Sequence, residues 1–115
     1  MMNKTKIICI TPVFNDWESF EILVKQLKKI QDSNSFKIKI LAINDGSTDV
    51  YIKDNPEFGL DLQIVNLKIN IGHQRAIGVG LQYVFNEEND YDYVVVMDSD
   101  GEDKPEHIVE LLNIL

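Results

Sequence analysis

Short apolar segments alternate with segments of helical periodicity along these 115 residues, and this alternation constrains the fold more than any other feature. Four segments have the length and apolar character of buried strands, namely residues 5–10, 36–43, 60–67 and 91–97. Three others repeat apolar side chains at helical spacing, namely residues 16–30, 72–86 and 104–115. Strand and helix in alternation predict right-handed crossovers. We therefore expect an α/β fold with a doubly wound, mainly parallel sheet of about four strands and flanking helices.

The helix ends carry recognisable signals. Asn15, followed by Glu18 three residues later, has the spacing of a capping box. Asp103, with a proline in the first turn, is expected to start the last helix. Gly78 and Gly80 each cost a helix about 1 kcal/mol relative to alanine. We therefore expect both glycines to mark a close approach of the second helix to the sheet.

The charge of the chain is negative and unevenly distributed. The sequence has 11 Lys+Arg against 19 Asp+Glu, a net charge of −8. Residues 1–85 hold 10 basic and 9 acidic side chains, whereas residues 86–115 hold one basic and ten acidic ones. The acidic balance argues against a nucleic-acid binder, which would need a basic stripe. The acidic segment is either a solvated face or a site for a divalent cation.

The remaining composition indicates a single cytoplasmic domain. Cys9 is the only cysteine, so an intrachain disulfide is impossible, and its apolar surroundings predict a buried thiol. The first apolar run is too short for a signal peptide, and no run approaches the roughly 20 residues of a membrane span. The sequence stops at Leu115 inside an apolar helical stripe. We therefore expect residues 1–115 to be one domain, cut from a longer protein that could associate with the cytoplasmic face of a membrane.

Polar segments follow each predicted strand, at the edge where open α/β sheets bind ligands. Asp98 and Asp100 come directly after the fourth strand. Two carboxylates in one turn suit Mg²⁺ or Mn²⁺, although such a turn can also simply cap the next helix. Placing carboxylates at the mouth of a buried strand costs desolvation free energy unless a positive group binds there. This cost favours the metal interpretation.

Other polar residues at this edge each have two interpretations. Asp45 is either a turn residue or an acceptor for hydrogen bonds from a base or ribose. Arg75, the only arginine, is either a solvated surface residue or a clamp on a diphosphate or base. His73 lies beside it and could contact a substrate, whereas His107 is expected to be a surface or half-buried residue. Phe14 and Trp17 are expected in the core or in a helix staple.

Four motifs, in order along the chain, resemble those of the family 2 glycosyltransferases. They are Thr11-Pro-Val-Phe-Asn15, Asn44-Asp-Gly-Ser-Thr-Asp49, Asn70-Ile-Gly-His-Gln-Arg-Ala76 and Met97-Asp-Ser-Asp-Gly-Glu-Asp-Lys-Pro-Glu106. The resemblance implies the Rossmann-like, nucleotide-binding half of a GT-A fold, with the last motif as its Asp-x-Asp segment. That last motif is most similar to members that resemble polyprenyl-phosphate sugar transferases.

The resemblance also implies roles for individual residues. The donor nucleotide would be bound by Pro12, Val13, Asn15, Asp45, Gly72, Arg75, Asp98 and Ser99, and Mn²⁺ or Mg²⁺ by Asp98 and Asp100. Asp45 would contact the base, Asp98 the ribose or sugar, and Asp100 the metal on the diphosphate. Asn44 departs from the family pattern, which has an aspartate there. We expect this change to affect the choice of nucleotide rather than binding itself.

The implied reaction is transfer of a sugar from a nucleoside-diphosphate donor, UDP- or GDP-linked, to an acceptor saccharide or lipid phosphate, with inversion. Cell-envelope polysaccharide or glycolipid synthesis would use such a step. A base would remove the acceptor proton, but no catalytic base is identified in this sequence, and we expect it beyond Leu115. The alternative is a small acidic signalling domain of the receiver type. Receivers place their paired acids after the first strand, where this chain has Thr11-Pro-Val.

Overall fold

The computed structural model describes residues 4–49, 59–99 and 104–114. These residues form four strands, β1 (Thr5–Val13), β2 (Phe36–Asn44), β3 (Asp61–Asn66) and β4 (Tyr93–Val96). They also form three helices, α1 (Trp17–Ser33), α2 (His73–Glu87) and α3 (Glu106–Ile114). Strands and helices alternate as predicted, except that the segment between β2 and β3 is only partly described.

The four strands form one sheet in which every described pairing is parallel. Their order is β3-β2-β1-β4. The chain adds strands on one side of β1 and then returns to the other side with β4. This reversal separates the chain segments that leave β1 and β4, and open α/β sheets bind ligands in the crevice formed there. The predicted α/β class is confirmed.

Helices cover both faces of the sheet. On one face, α1 and α3 bury Phe20, Leu27 and Ile108 against side chains such as Ile7 and Ile40. On the other face, α2 buries Ala76 and Val84 against Ile8, Ile10, Leu41 and Ile43. Because alternate residues of β1 face opposite sides, its continuous apolar run serves both clusters. Cys9 is fully buried, as predicted.

The first strand is longer than predicted. Thr11, Pro12 and Val13 belong to β1, where they pair with Ala42, Ile43 and Asn44 of β2. The predicted strand ends at residue 10, before this proline. In the structure β4 pairs with β1 only as far as Ile10, so Pro12 removes no ladder hydrogen bond on that side. The fourth strand is correspondingly shorter than predicted, and it lies at the edge of the sheet with Tyr93 and Val96 exposed.

The predicted capping box at the start of α1 is wrong. The residue before the first turn is Asp16, and it makes no capping hydrogen bond with its side chain. Asn15 instead has a positive φ of 64° and turns its side chain toward the loop after β2. Asp103, the predicted start of α3, lies outside the described residues.

The two glycines of α2 have different surroundings. A Cβ atom on Gly80 would lie 2.6 Å from Ile10 Cγ2 and 3.2 Å from Ile43 Cγ1, so the predicted close approach to the sheet is confirmed there. A Cβ atom on Gly78 would have no atom within 4 Å, so for Gly78 the prediction is wrong. Only Gly80 is explained by packing within the described residues.

Ion pairs join elements at the opposite end of the sheet. Lys39 of β2 bonds to Glu88, which ends α2, and Lys6 of β1 bonds to Asp90 at 2.6 Å. Partial burial by itself lowers the pKa of Lys39, but the hydrogen bond and charge of Glu88 outweigh it and raise that pKa above its ordinary value. The hydrogen bond from Lys6 lowers the pKa of Asp90.

None of the helices described has both the length and the apolar character that crossing a bilayer requires.

We expect Gly80→Ala to lower the free energy of unfolding by up to about 2 kcal/mol. Overfilling a packed core costs about 1–3 kcal/mol, of which the better helix propensity of alanine returns about 1. Gly78→Ala, two residues away in open space, is the matched control and should stabilise the protein by about 0.5–1 kcal/mol. Denaturant unfolding of both variants measures these changes, and stabilisation by both would contradict the close packing of α2.

We expect the Lys39–Glu88 pair to stabilise the fold at neutral pH and to lose this effect in alkali. The pKa of Lys39 is higher in the folded protein than in the unfolded chain, where a lysine has a pKa of about 10.4. The pair therefore stabilises the fold fully below that unfolded pKa, and the stabilisation disappears as pH rises through the folded pKa. Glu88→Gln should cost about 0.5 kcal/mol at about pH 8 and close to nothing at about pH 12. Urea unfolding at both pH values measures this, with Glu87→Gln as control. An equal loss at both pH values would count against the pair.

Candidate functional site

A cleft of about 340 Å³ opens where β1, β2 and β4 end, at the reversal of strand order. It is lined by Pro12, Val13, Phe14, Asp16, Asp45, Asn70, Gly72, His73, Asp98 and Ser99. Six of these residues were predicted to bind the donor nucleotide; they are Pro12, Val13, Asp45, Gly72, Asp98 and Ser99. The carboxyl ends of parallel strands meet at one edge, and this explains why residues from distant motifs converge here.

The carboxylate of Asp45 is buried, with 3% of the residue exposed, and three donors from one segment bond to it. The backbone N–H of Ile71 donates to Oδ1 at 2.8 Å, and the N–H of Gly72 donates to Oδ2 at 3.1 Å. The Asn70 side chain donates to Oδ2 at 3.1 Å and to the Asp45 carbonyl at 3.0 Å. Charge-assisted bonds of this kind compensate for the lost hydration of a buried carboxylate. Asp45 thus fixes the segment that leads into α2.

Glycines let the two loops come together at this point. A Cβ atom on Gly46 would lie 2.4 Å from the backbone nitrogen of Asn70, so a side chain there would push the segment away from Asp45. Gly46 and Gly72 have positive φ values of 69° and 97°, a region that favours glycine. Both glycines are therefore required by the contact between Asp45 and residues 70–72.

Asn15 connects the loops that follow β1 and β2. Its backbone N–H donates to Ser47 Oγ at 2.9 Å, and its side-chain oxygen accepts from the N–H of Asp49 at 2.8 Å. Its Nδ2 donates to Thr48 Oγ1 at 3.1 Å. Asn15 does not line the cleft, although it was predicted to bind the nucleotide. In the structure it holds together two loops that form the walls of the cleft.

Asp16 connects the β1 loop to the end of β4. Ser99 Oγ donates to Asp16 Oδ2 at 2.9 Å, and the N–H of Phe14 donates to Asp16 Oδ1 at 3.0 Å. These bonds hold the backbone of Phe14, whose side chain lines the cleft with 48% of the residue exposed. The prediction that Phe14 packs in the core or in a staple is therefore wrong, whereas Trp17 is buried as predicted. The cleft presents an aromatic ring to solvent.

His73, the first residue of α2, reaches across to Asp98 at the end of β4. The two atoms, His73 Nε2 and Asp98 Oδ1, lie 2.7 Å apart. About half of the His73 side chain is exposed, and 30% of the Asp98 side chain. This contact joins the helix side and the β4 side of the cleft.

Besides Asn15, two further predicted residues are not placed in the cleft. Arg75 is exposed in the first turn of α2 and does not line it. Asp100, the predicted principal metal ligand, lies outside the described residues. Within the parts of the chain that are described, no group of three or more His, Cys, Asp or Glu side chains forms a metal site.

A larger cleft, of about 550 Å³, lies between α1 and α3 and also borders Asp98 and Ser99. Its other walls are helix side chains, including Ile22, Gln26 and His107, rather than strand ends. His107 is exposed, as predicted. We take the smaller cleft as the candidate site, because it combines the ends of three strands with the start of a helix.

The sequence did not single out Asp16, Asn70 or the orientation of His73. Asp16 lies directly after the first quoted motif and outside it. Asn70 lay in the quoted motif, but nothing in the sequence shows that its amide reaches Asp45. His73 was named as a residue that could contact a substrate, but no local pattern shows that its ring reaches Asp98.

Comparison with known proteins identifies relatives over nearly the whole chain. The profile of the family described as Glycosyl transferase family 2 matches residues 8–115. An uncharacterized glycosyltransferase of Bacillus subtilis (strain 168), YkcC, is 31% identical over 106 residues, which are 90% of this chain and 31% of that protein. The undecaprenyl-phosphate 4-deoxy-4-formamido-L-arabinose transferase of Salmonella choleraesuis (strain SC-B67) is 29% identical over 111 residues, which are 93% of this chain and 32% of that protein.

A solved structure has the same fold. The crystal structure of S. aureus TarS, residues 1–349, superposes with a TM-score of 0.62 and 20% sequence identity, covering 95% of this chain and 32% of that one. The chain thus spans about a third of the length of the relatives it matches.

We expect Asp45→Asn to lower the free energy of unfolding by about 2 kcal/mol. The substitution keeps the shape of the side chain, but one of the two acceptor oxygens becomes an NH₂. That NH₂ would face the N–H of either residue 71 or residue 72 and leave that buried donor without an acceptor. Denaturant unfolding measures the loss. Asp49→Asn, an exposed change in the same loop, is the control and should stay within about 0.5 kcal/mol. Similar effects of both substitutions would show that Asp45 does not hold the loop.

Proposed function

Since this chain belongs to glycosyl transferase family 2, we propose that it binds the nucleoside-diphosphate sugar donor of an inverting glycosyltransferase. The observation that carries the proposal is the composition of the cleft at the strand ends. It combines an exposed aromatic ring, two carboxylates with exposed surface, and the start of a helix. Family membership removes the reason to favour a receiver-like signalling domain.

We place the nucleoside against the β1 side of the cleft. The exposed ring of Phe14 offers a face on which a base can stack, and Pro12 and Val13 form the floor beside it. Asp45 accepts three hydrogen bonds on its side-chain oxygens, and a carboxylate has about four acceptor positions. One position is therefore left for an N–H of the base. On this proposal Asp45 both organises the loop and contacts the nucleoside.

We place the diphosphate near the start of α2 and the end of β4. Gly72, which precedes α2, and His73, its first residue, both line the cleft, so the positive end of the helix borders it. Arg75 lies in the first turn of that helix and can add a planar, bidentate cation. Ser99 and Asp98 would contact the ribose or the sugar.

Among the described residues, Asp98 suits a divalent cation. The partly exposed carboxylate of Asp98 offers oxygen, and Mg²⁺ is commonly held by one or two carboxylates together with substrate phosphates. Asp98 and Asp100 would hold Mn²⁺ or Mg²⁺, which supplies neutralisation of the charge on the departing diphosphate. Asp16, bonded to Ser99, would fix the backbone beside them.

The acceptor side of the reaction is proposed from the relatives. One relative carries undecaprenyl phosphate in its name, and this supports a lipid phosphate as acceptor, with a saccharide as the other choice. If the chain is a piece of a longer protein, the catalytic base and the acceptor site belong to the remainder, and a cytoplasmic site at a membrane surface would suit a lipid acceptor. Cell-envelope polysaccharide or glycolipid synthesis is the process in which we place it.

We expect UDP or GDP, together with Mn²⁺ or Mg²⁺, to stabilise the protein against heat. Binding to the folded state at a hundred times the Kd contributes about 2.7 kcal/mol. Asp98→Ala and Asp100→Ala should remove most of the metal-dependent part, and Glu87→Ala, an exposed acid on α2, should leave it unchanged. A thermal-shift titration with each nucleotide, with and without metal, measures this. No stabilisation by any nucleoside diphosphate would overturn the proposal.

A further inference from the structure

A continuous series of contacts crosses the mouth of the cleft from β2 to β4. It runs from the buried Asp45 carboxylate to the backbone of residues 71 and 72, then to His73, and from the His73 ring to Asp98. We infer that His73 is a positioning residue, which orients the Asp98 carboxylate toward the bound donor and its metal. The effect on donor and metal binding rests on the proposed function, whereas the contact between His73 and Asp98 does not.

The backbone position of His73 is set by the residues that precede it in the chain. Its backbone follows Gly72, whose N–H is held by Asp45 and whose positive φ is a conformation that favours glycine. The helix then begins at His73, and the carbonyl of Gly72 accepts the first intrahelical bond, from Ala76, at 2.9 Å. The buried carboxylate of Asp45 therefore fixes the backbone that carries the His73 imidazole.

The small energy expected of the His73–Asp98 contact indicates that it orients a side chain rather than stabilises the fold. Ion pairs with exposed side chains contribute about 0–1 kcal/mol to folding. An approach of 2.7 Å between Nε2 and Oδ1 nevertheless restricts which way the Asp98 carboxylate points. Residues that hydrogen-bond to a metal-ligating carboxylate typically change metal affinity by about 10–100-fold when they are removed. The contact therefore contributes little to folding stability but strongly restricts the orientation of the Asp98 carboxylate.

The alternative is a surface pair without consequence. It differs from the proposal in what happens to Asp98 when His73 is removed. A positioning role predicts that Asp98 loses its single orientation and that donor binding weakens through Asp98 alone. A surface pair predicts neither effect.

The first measurement needs no nucleotide. We expect the Asp98 side chain to occupy one χ1 rotamer in the wild-type protein, to change its rotamer populations in His73→Ala, and to keep the wild-type populations in His73→Gln, whose amide can still donate. Three-bond NMR couplings of Asp98 report this in solution. Gln74→Ala, the next residue of the same helix and also exposed, is the control and should change nothing. An unchanged Asp98 rotamer in His73→Ala would overturn the inference.

The second measurement is a double-mutant cycle on the binding of UDP or GDP with Mn²⁺. His73→Ala should weaken binding about tenfold, with His73→Gln restoring most of it. In an Asp98→Ala background the same substitution should have almost no further effect, because its action passes through Asp98. The thermal midpoint of the free protein should barely move. Equal effects of His73→Ala in both backgrounds would contradict positioning.

The two ways of failing can be told apart. If the wild-type protein binds no nucleoside diphosphate, the proposed function fails, and the rotamer measurement still decides whether His73 orients Asp98. If the wild-type protein binds but His73→Ala changes neither the rotamer nor the Kd, the proposed function stands and the inference fails.

Discussion

The buried carboxylate of Asp45 is the contact on which the arrangement of the cleft depends. A carboxylate removed from water needs hydrogen bonds to replace its hydration, and here one short segment supplies them all through Asn70, Ile71 and Gly72. That requirement explains the glycines at 46 and 72, since one allows the close approach and the other the turn into α2. The start of α2, and with it His73, is placed by a charge at the end of β2. A single buried group thus determines where the helix side of the cleft lies.

The sheet provides the frame, and side-chain bonds between loops define the walls. The strand order brings the ends of β1, β2 and β4 to one edge, but strand ends alone leave their loops with many conformations. Asn15 connects the loops after β1 and β2, and Asp16 connects the β1 loop to Ser99 after β4. Each loop is held by its neighbour. A rigid cleft can then bind a ligand without first ordering its own walls, which lowers the entropic cost of binding.

The pattern of apolar residues was sufficient to predict the fold, because burial of strand and helix faces has a period that is visible in sequence. It also located the polar segments that follow the strands, and so most of the cleft, although β1 continues to Val13 rather than ending at residue 10. Prediction failed where the outcome depended on distant partners. Asn15 fitted a capping box locally but bonds to the loop after β2, and Phe14 was expected in the core but faces the cleft. The bond between Asp16 and Ser99 joins residues 83 positions apart, and no local pattern encodes it. Gly78 and Gly80 look alike in sequence, yet only one touches the sheet.

The edge strand β4 has a practical consequence for handling the protein. It is short, its residues are Tyr-Val-Val-Val, and Tyr93 and Val96 are exposed at the end of the strand order. An apolar edge with backbone groups available for pairing is a template on which another strand can add. The charged side chains that commonly discourage such pairing are absent from residues 93–96 themselves. Among the described residues, the edge of β4 is therefore where pairing between copies would begin, and low protein concentration with a solubilising fusion partner guards against it.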